Sequence, residues 1–190
     1  MTLPLAGKRA LVTGASGALG SAIASRLAAM GAHVLLHGNS RPEAVQALAE
    51  AITASGGSAS CTVFDITSDA ATADAMAQLL AGGPVQIVVN NAGIHDDAVF
   101  PGMKAAQWHQ VIDVSLHGFF RVTQPLTLPM LRTRWGRIIN VASELRARSA
   151  DLIEANRADV AHARGEGRDA AFIDRLTLTP ESIGQMAKGL

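Results

Sequence analysis

Tyrosine is missing from this chain altogether, and cysteine occurs once among its 190 residues. A single thiol, Cys61, cannot form an internal disulfide or a cysteine metal cluster, so we expect a protein of a reducing compartment, the cytoplasm. The six histidines lack the spacing of a metal site, which predicts that no metal is bound. No apolar run approaches the roughly 20 residues of a membrane span, and no signal-peptide pattern opens the chain. We therefore expect no membrane partner.

An excess of charge of one sign is lacking as well. Sixteen Lys and Arg residues balance sixteen Asp and Glu residues, and the absence of a basic run argues against a nucleic-acid partner. The charges are unevenly distributed, because residues 1–143 carry 17 charged side chains and the much shorter segment 144–190 carries 15. We predict a domain over 1–143 and a separate segment over 144–190.

A phosphate-binding turn is predicted near the N terminus. An apolar run stops at Thr13, passes through glycine, alanine and serine residues, and enters an alanine-rich helix pattern. Gly14 permits a tight turn, the small side chains after it let a pyrophosphate approach the main chain, and Gly20 lets the helix pack closely on the strand. Turns of this kind also occur for geometry alone, so the rest of the chain must decide between the two interpretations.

Short apolar runs alternate with helical patterns along the first 143 residues. Strands are predicted over 9–13, 33–37, 59–64, 85–89 and 137–141, and helices over 19–30, from 42, over 68–80 and over 104–134. The last helix is expected to break or bend near Asp113 and to be strained by Pro125 and Pro129. Five alternating strands imply an α/β fold of the Rossmann type, a doubly wound parallel sheet of order 3-2-1-4-5 that is truncated after strand five.

A polar segment follows the fourth predicted strand. Asn90 and Asn91 come directly after a run of apolar residues, and Ala92 and Gly93 follow them. At the carboxyl edge of a doubly wound sheet this pattern favours main chain that approaches a ligand. A loop that uses asparagine and glycine only for turn geometry is the alternative.

Four motifs stand in order along the chain: Thr13-Gly14-x-x-x-Ala18-x-Gly20, Asp65 after strand three, Asn90-Asn91-Ala92-Gly93, and the run 136–143 that ends at Ser143. Together they resemble the short-chain dehydrogenase/reductase family, most closely its beta-ketoacyl carrier-protein reductase branch. The resemblance covers residues 6–143 and implies a nicotinamide dinucleotide cofactor. The contacts that it implies are Gly14, Ser16, Ala18, Leu19 and Gly20 at the pyrophosphate, Asp65 and Ile66 at the adenine, and Asn91, Ala92 and Gly93 along the ribose.

The charge at the end of strand two bears on which dinucleotide the chain takes. Members of the family that prefer NAD usually carry an acidic residue there, whereas this chain has Asn39 and Arg41 and no acid. A guanidinium suits a phosphate, so NADP(H) is the expected cofactor, with Asn39 and Arg41 beside it. The alternative is that Arg41 is only a solvated charge at the start of a helix.

The catalytic residues that the resemblance implies are incomplete. In the family a tyrosine supplies the proton for carbonyl reduction, a lysine four residues later lowers its pKa, and a serine and an asparagine assist. Ser143 matches the serine, Ser115 stands at the asparagine position, and the chain has no tyrosine. We expect a chain that binds NADP(H) without turnover. The alternatives are a weak carbonyl reductase, in which water supplies the proton, and a non-enzymatic scaffold.

The scaffold alternative depends on apolar side chains of the last predicted helix. Exposure of these side chains would drive association of two copies, so we expect a homo-oligomer, most simply a dimer. The residues concerned are Phe119, Phe120, Leu126, Leu128, Met130 and Leu131.

The segment 144–190 departs from the family pattern. Apolar stripes and a helix start at Thr179-Pro180 predict two or three helices, which would complete or cap the sheet. The runs 145–156 and 174–190 resemble the N-terminal helical region of gamma-glutamyl phosphate reductase, whose nucleophilic cysteine lies outside such a segment. Two families joined near residue 143 imply a chimera, and we favour an engineered one.

Overall fold

Five parallel strands form a sheet in the part of the chain that the structure describes. The structure is a computed structural model, and it describes residues 3–141. The strands are β1 (Arg9–Val12), β2 (His33–Gly38), β3 (Ser58–Val63), β4 (Ile87–Asn90) and β5 (Arg137–Asn140). Their order, β3-β2-β1-β4-β5, confirms the predicted one. The junction predicted near residue 143 and the helices predicted over 144–190 lie outside the described residues.

Five α-helices connect the strands: α1 (Ala18–Ala29), α2 (Pro42–Ala54), α3 (Asp69–Ala81), α4 (Ala105–Ile112) and α5 (Gly118–Arg132). The local sequence explains several of their ends. α2 begins at Pro42, whose fixed φ suits the first helical turn. Ser68 Oγ caps α3 by accepting a hydrogen bond from the Ala71 N–H at 3.3 Å. None of the helices within residues 3–141 is long and apolar enough to cross a membrane.

Apolar side chains cover both faces of the sheet, as a doubly wound fold requires. Val34 and Leu36 of β2 belong to a cluster that includes residues of α1 and α2. Leu35, between them, belongs to a second cluster with Met76 of α3 and Val122 of α5. Successive residues of β2 therefore pack on opposite sides, which is the alternation expected of a strand that is buried on both faces.

The helical stretch after β4 is interrupted where the sequence predicts a break. α4 ends at Ile112, a single π-helical turn covers Asp113–His117, and α5 follows directly. Pro125 and Pro129 lie inside α5, which continues through both of them to Arg132. The break at Asp113 is confirmed, whereas neither proline ends the helix, because packing of its inner face on the sheet outweighs the local preference against proline.

Two of the apolar residues expected on the surface of α5 are buried instead. Leu126 has no exposed surface and Met130 is 5% exposed, because both lie on the helical stripe that begins at Val122 and packs in the second cluster. Phe119 is half-buried. The other three are more than half exposed: Phe120, Leu128 and Leu131.

Candidate functional site

The turn between β1 and α1 lies at the carboxyl edge of the sheet. Gly14 takes a φ of +63°, a left-handed conformation that favours glycine. The N–H of Ala15 donates to the carbonyl oxygen of His37 at 2.8 Å, and the N–H of Gly17 donates to the carbonyl oxygen of Gly14 at 3.2 Å. The predicted turn is therefore formed, and it is held against the end of β2.

Close packing explains the glycine at position 20 in α1. A Cβ atom placed on Gly20 would overlap the carbonyl oxygen of Gly14 and lie 2.7 Å from Asn91 Nδ2. A Cβ atom placed on Gly14 would lie 3.0 Å from the Cα of Ala92. The start of α1, the turn and the segment after β4 therefore meet with no space for side chains between them.

Thr13 and Asn91 join the ends of β1 and β4. Thr13 Oγ1 accepts hydrogen bonds from the N–H groups of Asn91 and Ala92, both at 2.9 Å, and donates to the carbonyl oxygen of Val89 at 3.3 Å. Asn91 Nδ2 donates to the carbonyl oxygens of Thr13 at 2.8 Å and Gly14 at 3.1 Å. Because both residues are 1% exposed, these bonds are shielded from water. The two segments thus form one rigid edge.

The first turn of α1 contributes backbone N–H groups to the same edge. Gly17, the residue before the helix, provides no side-chain cap, so these N–H groups are available to an anion. Ser16 and Leu19 are half-buried, and Ala18 is exposed. An exposed helix start with small side chains is the arrangement that a pyrophosphate requires.

The segment after β3 carries the two residues expected at the adenine. Asp65 is exposed, and its Oδ1 accepts hydrogen bonds from the Thr67 N–H at 2.9 Å and from the Thr67 hydroxyl at 2.7 Å. Ile66 is 5% exposed, and a Cβ atom placed on Gly118 of α5 would lie 3.0 Å from its Cγ1. Ile66 is therefore almost wholly buried, whereas Asp65 beside it is exposed.

Asn39 and Arg41 lie in the exposed segment between β2 and α2. The carbonyl oxygen of Arg41 accepts a hydrogen bond from the Ala44 N–H at 3.2 Å, at the start of α2. The residues from 39 to 42 include no acidic side chain. This segment therefore offers a guanidinium, and no carboxylate, to a ligand at the end of β2.

The π-helical turn holds Ser115, whose Oγ is buried without a hydrogen-bond partner. Nearby, Asp113 Oδ1 accepts hydrogen bonds from Arg121 Nη1 at 2.8 Å and from His117 Nδ1 at 3.0 Å. These bonds, chiefly the one from Arg121, lower the pKa of Asp113.

Within residues 3–141 no cluster of His, Cys, Asp or Glu side chains could hold a metal ion. Ser143 lies outside the described residues.

His37 is a site residue that sequence analysis missed, because a single histidine at the end of an apolar run has the pattern of an ordinary strand residue. It is 2% exposed. Its Nδ1 accepts a hydrogen bond from the Gly14 N–H at 3.2 Å, and its Nε2 lies 3.0 Å from the carbonyl oxygen of Phe64. Burial lowers the pKa of His37 against the opposing effects of the Phe64 hydrogen bond and the Asp65 carboxylate.

Asn90 is a second residue whose role the sequence does not reveal. Its Nδ2 donates to Thr123 Oγ1 at 3.0 Å and to Asn140 Oδ1 at 2.9 Å. The parallel register places Asn90 opposite Asn140. The sequence indicates this pair only by an asparagine near the end of each of the two predicted strands. This bond pair ties β4 to β5 and α5 just behind the site.

Comparisons with known proteins agree with this geometry. The family model described as short chain dehydrogenase matches residues 8–151. Nodulation protein G of Rhizobium sp. strain N33 is 43% identical over 139 residues, which make up 73% of this chain and 56% of that protein. The 3-oxoacyl-[acyl-carrier-protein] reductase FabG of Pseudomonas aeruginosa is 41% identical over 144 residues, 74% of this chain and 57% of that protein. The chain thus spans little more than half the length of these relatives.

A solved structure shares the fold. The crystal structure of a metagenomic short-chain oxidoreductase in complex with NADP is similar with a TM-score of 0.70 and 34% identity, over 73% of this chain and 63% of that one. The family match ends at residue 151, past the junction predicted near residue 143. The sequence predicts that the family pattern ends at Ser143. This prediction is wrong, because the match continues to residue 151.

Proposed function

Because this chain belongs to the short-chain dehydrogenase family, we propose that it binds a nicotinamide dinucleotide at the carboxyl edge of its sheet and prefers NADP(H). One observation carries the proposal. The turn after β1, the start of α1 and the segment after β4 approach each other through Gly14 and Gly20, with no space for side chains between them. Such packing lets a diphosphate approach the main-chain N–H groups of the first turn of α1.

The roles within this proposal follow the order of the segments along the edge. Residues of the turn and of the first turn of α1 hold the pyrophosphate: Gly14, Ser16, Ala18, Leu19 and Gly20. Asp65 and the main chain of Ile66 border the adenine, and Asn91, Ala92 and Gly93 lie along the ribose. The half-buried state of Ala92 and Gly93, next to the fully buried Asn91, supports a contact surface at this point.

The experiment that tests binding is a titration of the purified chain with NADPH and, separately, NADH. We expect NADPH to raise the melting temperature by about 5 °C or more once it exceeds its Kd about a hundredfold, because a ligand that binds only the folded state stabilises it by about 2.7 kcal/mol. Nicotinamide fluorescence provides the independent measurement of Kd. A chain that responds to neither dinucleotide would contradict the proposal and would favour the scaffold alternative, which the exposed side chains of Phe120, Leu128 and Leu131 support.

We propose further that the chain by itself does not reduce carbonyl groups. The 190 residues contain no tyrosine, and Ser115 stands where the family pattern has asparagine. The absorbance of NADPH should therefore stay unchanged when a beta-ketoacyl thioester is added to the saturated protein. Consumption of NADPH that scales with protein concentration would favour the alternative, a weak carbonyl reductase in which water supplies the proton.

Arg41 should determine which dinucleotide binds better. In the proposed complex its guanidinium lies near the 2′-phosphate, and the segment offers no other charge. Replacing Arg41 by alanine is expected to weaken NADPH binding about tenfold and to leave NADH binding within about twofold, because only NADPH carries that phosphate. Fluorescence titration of both ligands measures the ratio. Arg132→Ala, an exposed arginine at the end of α5, is the matched control. An equal loss for both dinucleotides would leave Arg41 as a solvated charge only.

The origin of residues 144–190 is a separate proposal. Of the two runs that resemble gamma-glutamyl phosphate reductase, 145–156 overlaps the family match, which ends at residue 151, so the proposal rests on 174–190. On this proposal the gene joins two unrelated sources and the join was engineered. Amplification across the join from the source DNA tests the engineered origin, because an engineered join would yield no product there and a product would contradict it.

A further inference from the structure

The imidazole of His37 is placed to control the turn that the proposed function assigns to the pyrophosphate. His37 contacts the turn twice: its ring nitrogen Nδ1 accepts from the Gly14 N–H at 3.2 Å, and its main-chain carbonyl oxygen accepts from the Ala15 N–H at 2.8 Å. Two successive N–H groups of the turn are therefore held by one residue of β2.

The partners of the ring fix its protonation state. The Gly14 N–H is a donor only, so Nδ1 must carry no proton. The carbonyl oxygen of Phe64 is an acceptor only, so Nε2, at 3.0 Å from it, must carry one. His37 is therefore neutral and in a single tautomer, and it connects the turn after β1 to the end of β3.

The surroundings of the ring favour the neutral form. His37 is 2% exposed, and the Phe64 ring lies beside it with centroids 4.2 Å apart. The residues of the turn after β1 that contact His37 are Gly14 and Ala15, which carry no charge. Its neighbour on β3 is Thr62, which is uncharged as well. The charged group that acts on it is the Asp65 carboxylate, which raises its pKa, and burial lowers the pKa by more.

We propose that His37 is a positioning residue for the dinucleotide: its neutral imidazole holds the Gly14 turn in the conformation that receives the pyrophosphate. The inference rests on the proposed function. A proton on Nδ1 would set a donor against the Gly14 N–H, and the turn would have to move. The consequence is that dinucleotide affinity falls when His37 is protonated and when its acceptor is removed.

Nuclear magnetic resonance of the ring nitrogens in the unmodified protein tests the first step. We expect Nδ1 to have the chemical shift of an unprotonated nitrogen and Nε2 that of a protonated one, with and without NADPH. The opposite tautomer, or a charged ring at pH 7.5, would overturn the proposal. This measurement needs no variant, so it holds even where a substitution prevents folding.

Two substitutions separate positioning from simple core packing. His37→Asn keeps an acceptor, Oδ1, at the place of Nδ1, whereas His37→Phe keeps a ring of similar shape without any acceptor. We expect His37→Phe to raise the Kd for NADPH about tenfold and His37→Asn to stay within about threefold of the unmodified protein. Unchanged affinity in a folded His37→Phe, or an equal loss in both variants, would overturn the proposal.

A pH profile supplies the readout that core packing alone would not change. As the pH falls to the point where the nitrogen spectra of the free protein show His37 becoming protonated, the affinity of the unmodified protein for NADP+ should fall further than that of His37→Asn, which has no titrating group at this position. The 2′-phosphate ionises near pH 6 and affects both proteins equally. Parallel profiles would overturn the proposal, whereas an unmodified protein that binds no dinucleotide at any pH would overturn the proposed function itself.

Discussion

Replacing Gly14 by aspartate is expected to abolish useful NADPH binding, with the Kd raised about a hundredfold or more. The added carboxylate would stand in the turn that the proposal gives to the pyrophosphate, and like charges at this distance repel strongly. Its Cβ atom would also lie 3.0 Å from the Cα of Ala92, closer than packed atoms normally come. Fluorescence titration measures the loss of affinity, and circular dichroism establishes that the variant is folded.

Gly56→Asp is the matched control for this experiment. Gly56 also has a positive φ, +81°, and a Cβ atom placed there meets nothing within 4 Å. It lies between α2 and β3, at the amino edge of the sheet and away from the turn. The control therefore introduces the same residue and the same charge at a glycine that also has a positive φ. The Kd of this variant for NADPH should stay within about twofold of that of the unmodified protein. If Gly14→Asp bound as tightly as Gly56→Asp, the turn would not be the pyrophosphate site.

The second large effect concerns stability. Thr13→Val removes a hydroxyl and keeps nearly the same shape, so the Ala92 N–H loses its acceptor and the Asn91 N–H loses one of two. Because Thr13 is 1% exposed, water cannot replace the lost oxygen, and the free energy of unfolding should fall by about 2 kcal/mol. That loss corresponds to a melting temperature lower by roughly 4–8 °C for a chain of this size.

Thr13→Ser tests whether the hydroxyl is the cause. Serine keeps the oxygen and deletes one methyl group, so its variant should lose no more than about 1 kcal/mol, through packing alone. Thermal and urea unfolding of the two variants measure the difference. Equal destabilisation by valine and serine would show that the methyl group, and not the hydrogen bonds, stabilises this edge.

Much of the fold could be predicted because it follows from short-range patterns. The apolar run of β2 and the start of α2 at Pro42 are visible in the sequence, and each was confirmed. The strand order followed from the alternation of strands and helices, because parallel strands need right-handed crossovers. The turn at Gly14 was predicted for the same reason: a positive φ and a close approach both require glycine.

The sequence predictions that were wrong or incomplete have a common physical origin. Each concerns a property that is set by residues close in space and distant in sequence. Leu126 and Phe120 are both apolar and both on α5, yet Leu126 packs against the sheet and Phe120 does not. His37 and Gly14 are hydrogen-bonded across 23 positions of sequence, and no local pattern indicates such a pair. Packing partners of this kind are known only when the strand register is known.

The bonds between Thr13 and Asn91 also bear on the order in which this protein acquires its structure. They join residues 78 positions apart, so the site closes only after β1 has paired with β4 across the whole intervening chain. During synthesis the turn at Gly14 leaves the ribosome long before the segment that completes this edge. If the chain binds a dinucleotide as proposed, the ligand would therefore meet a complete site only in molecules in which this long loop has already closed.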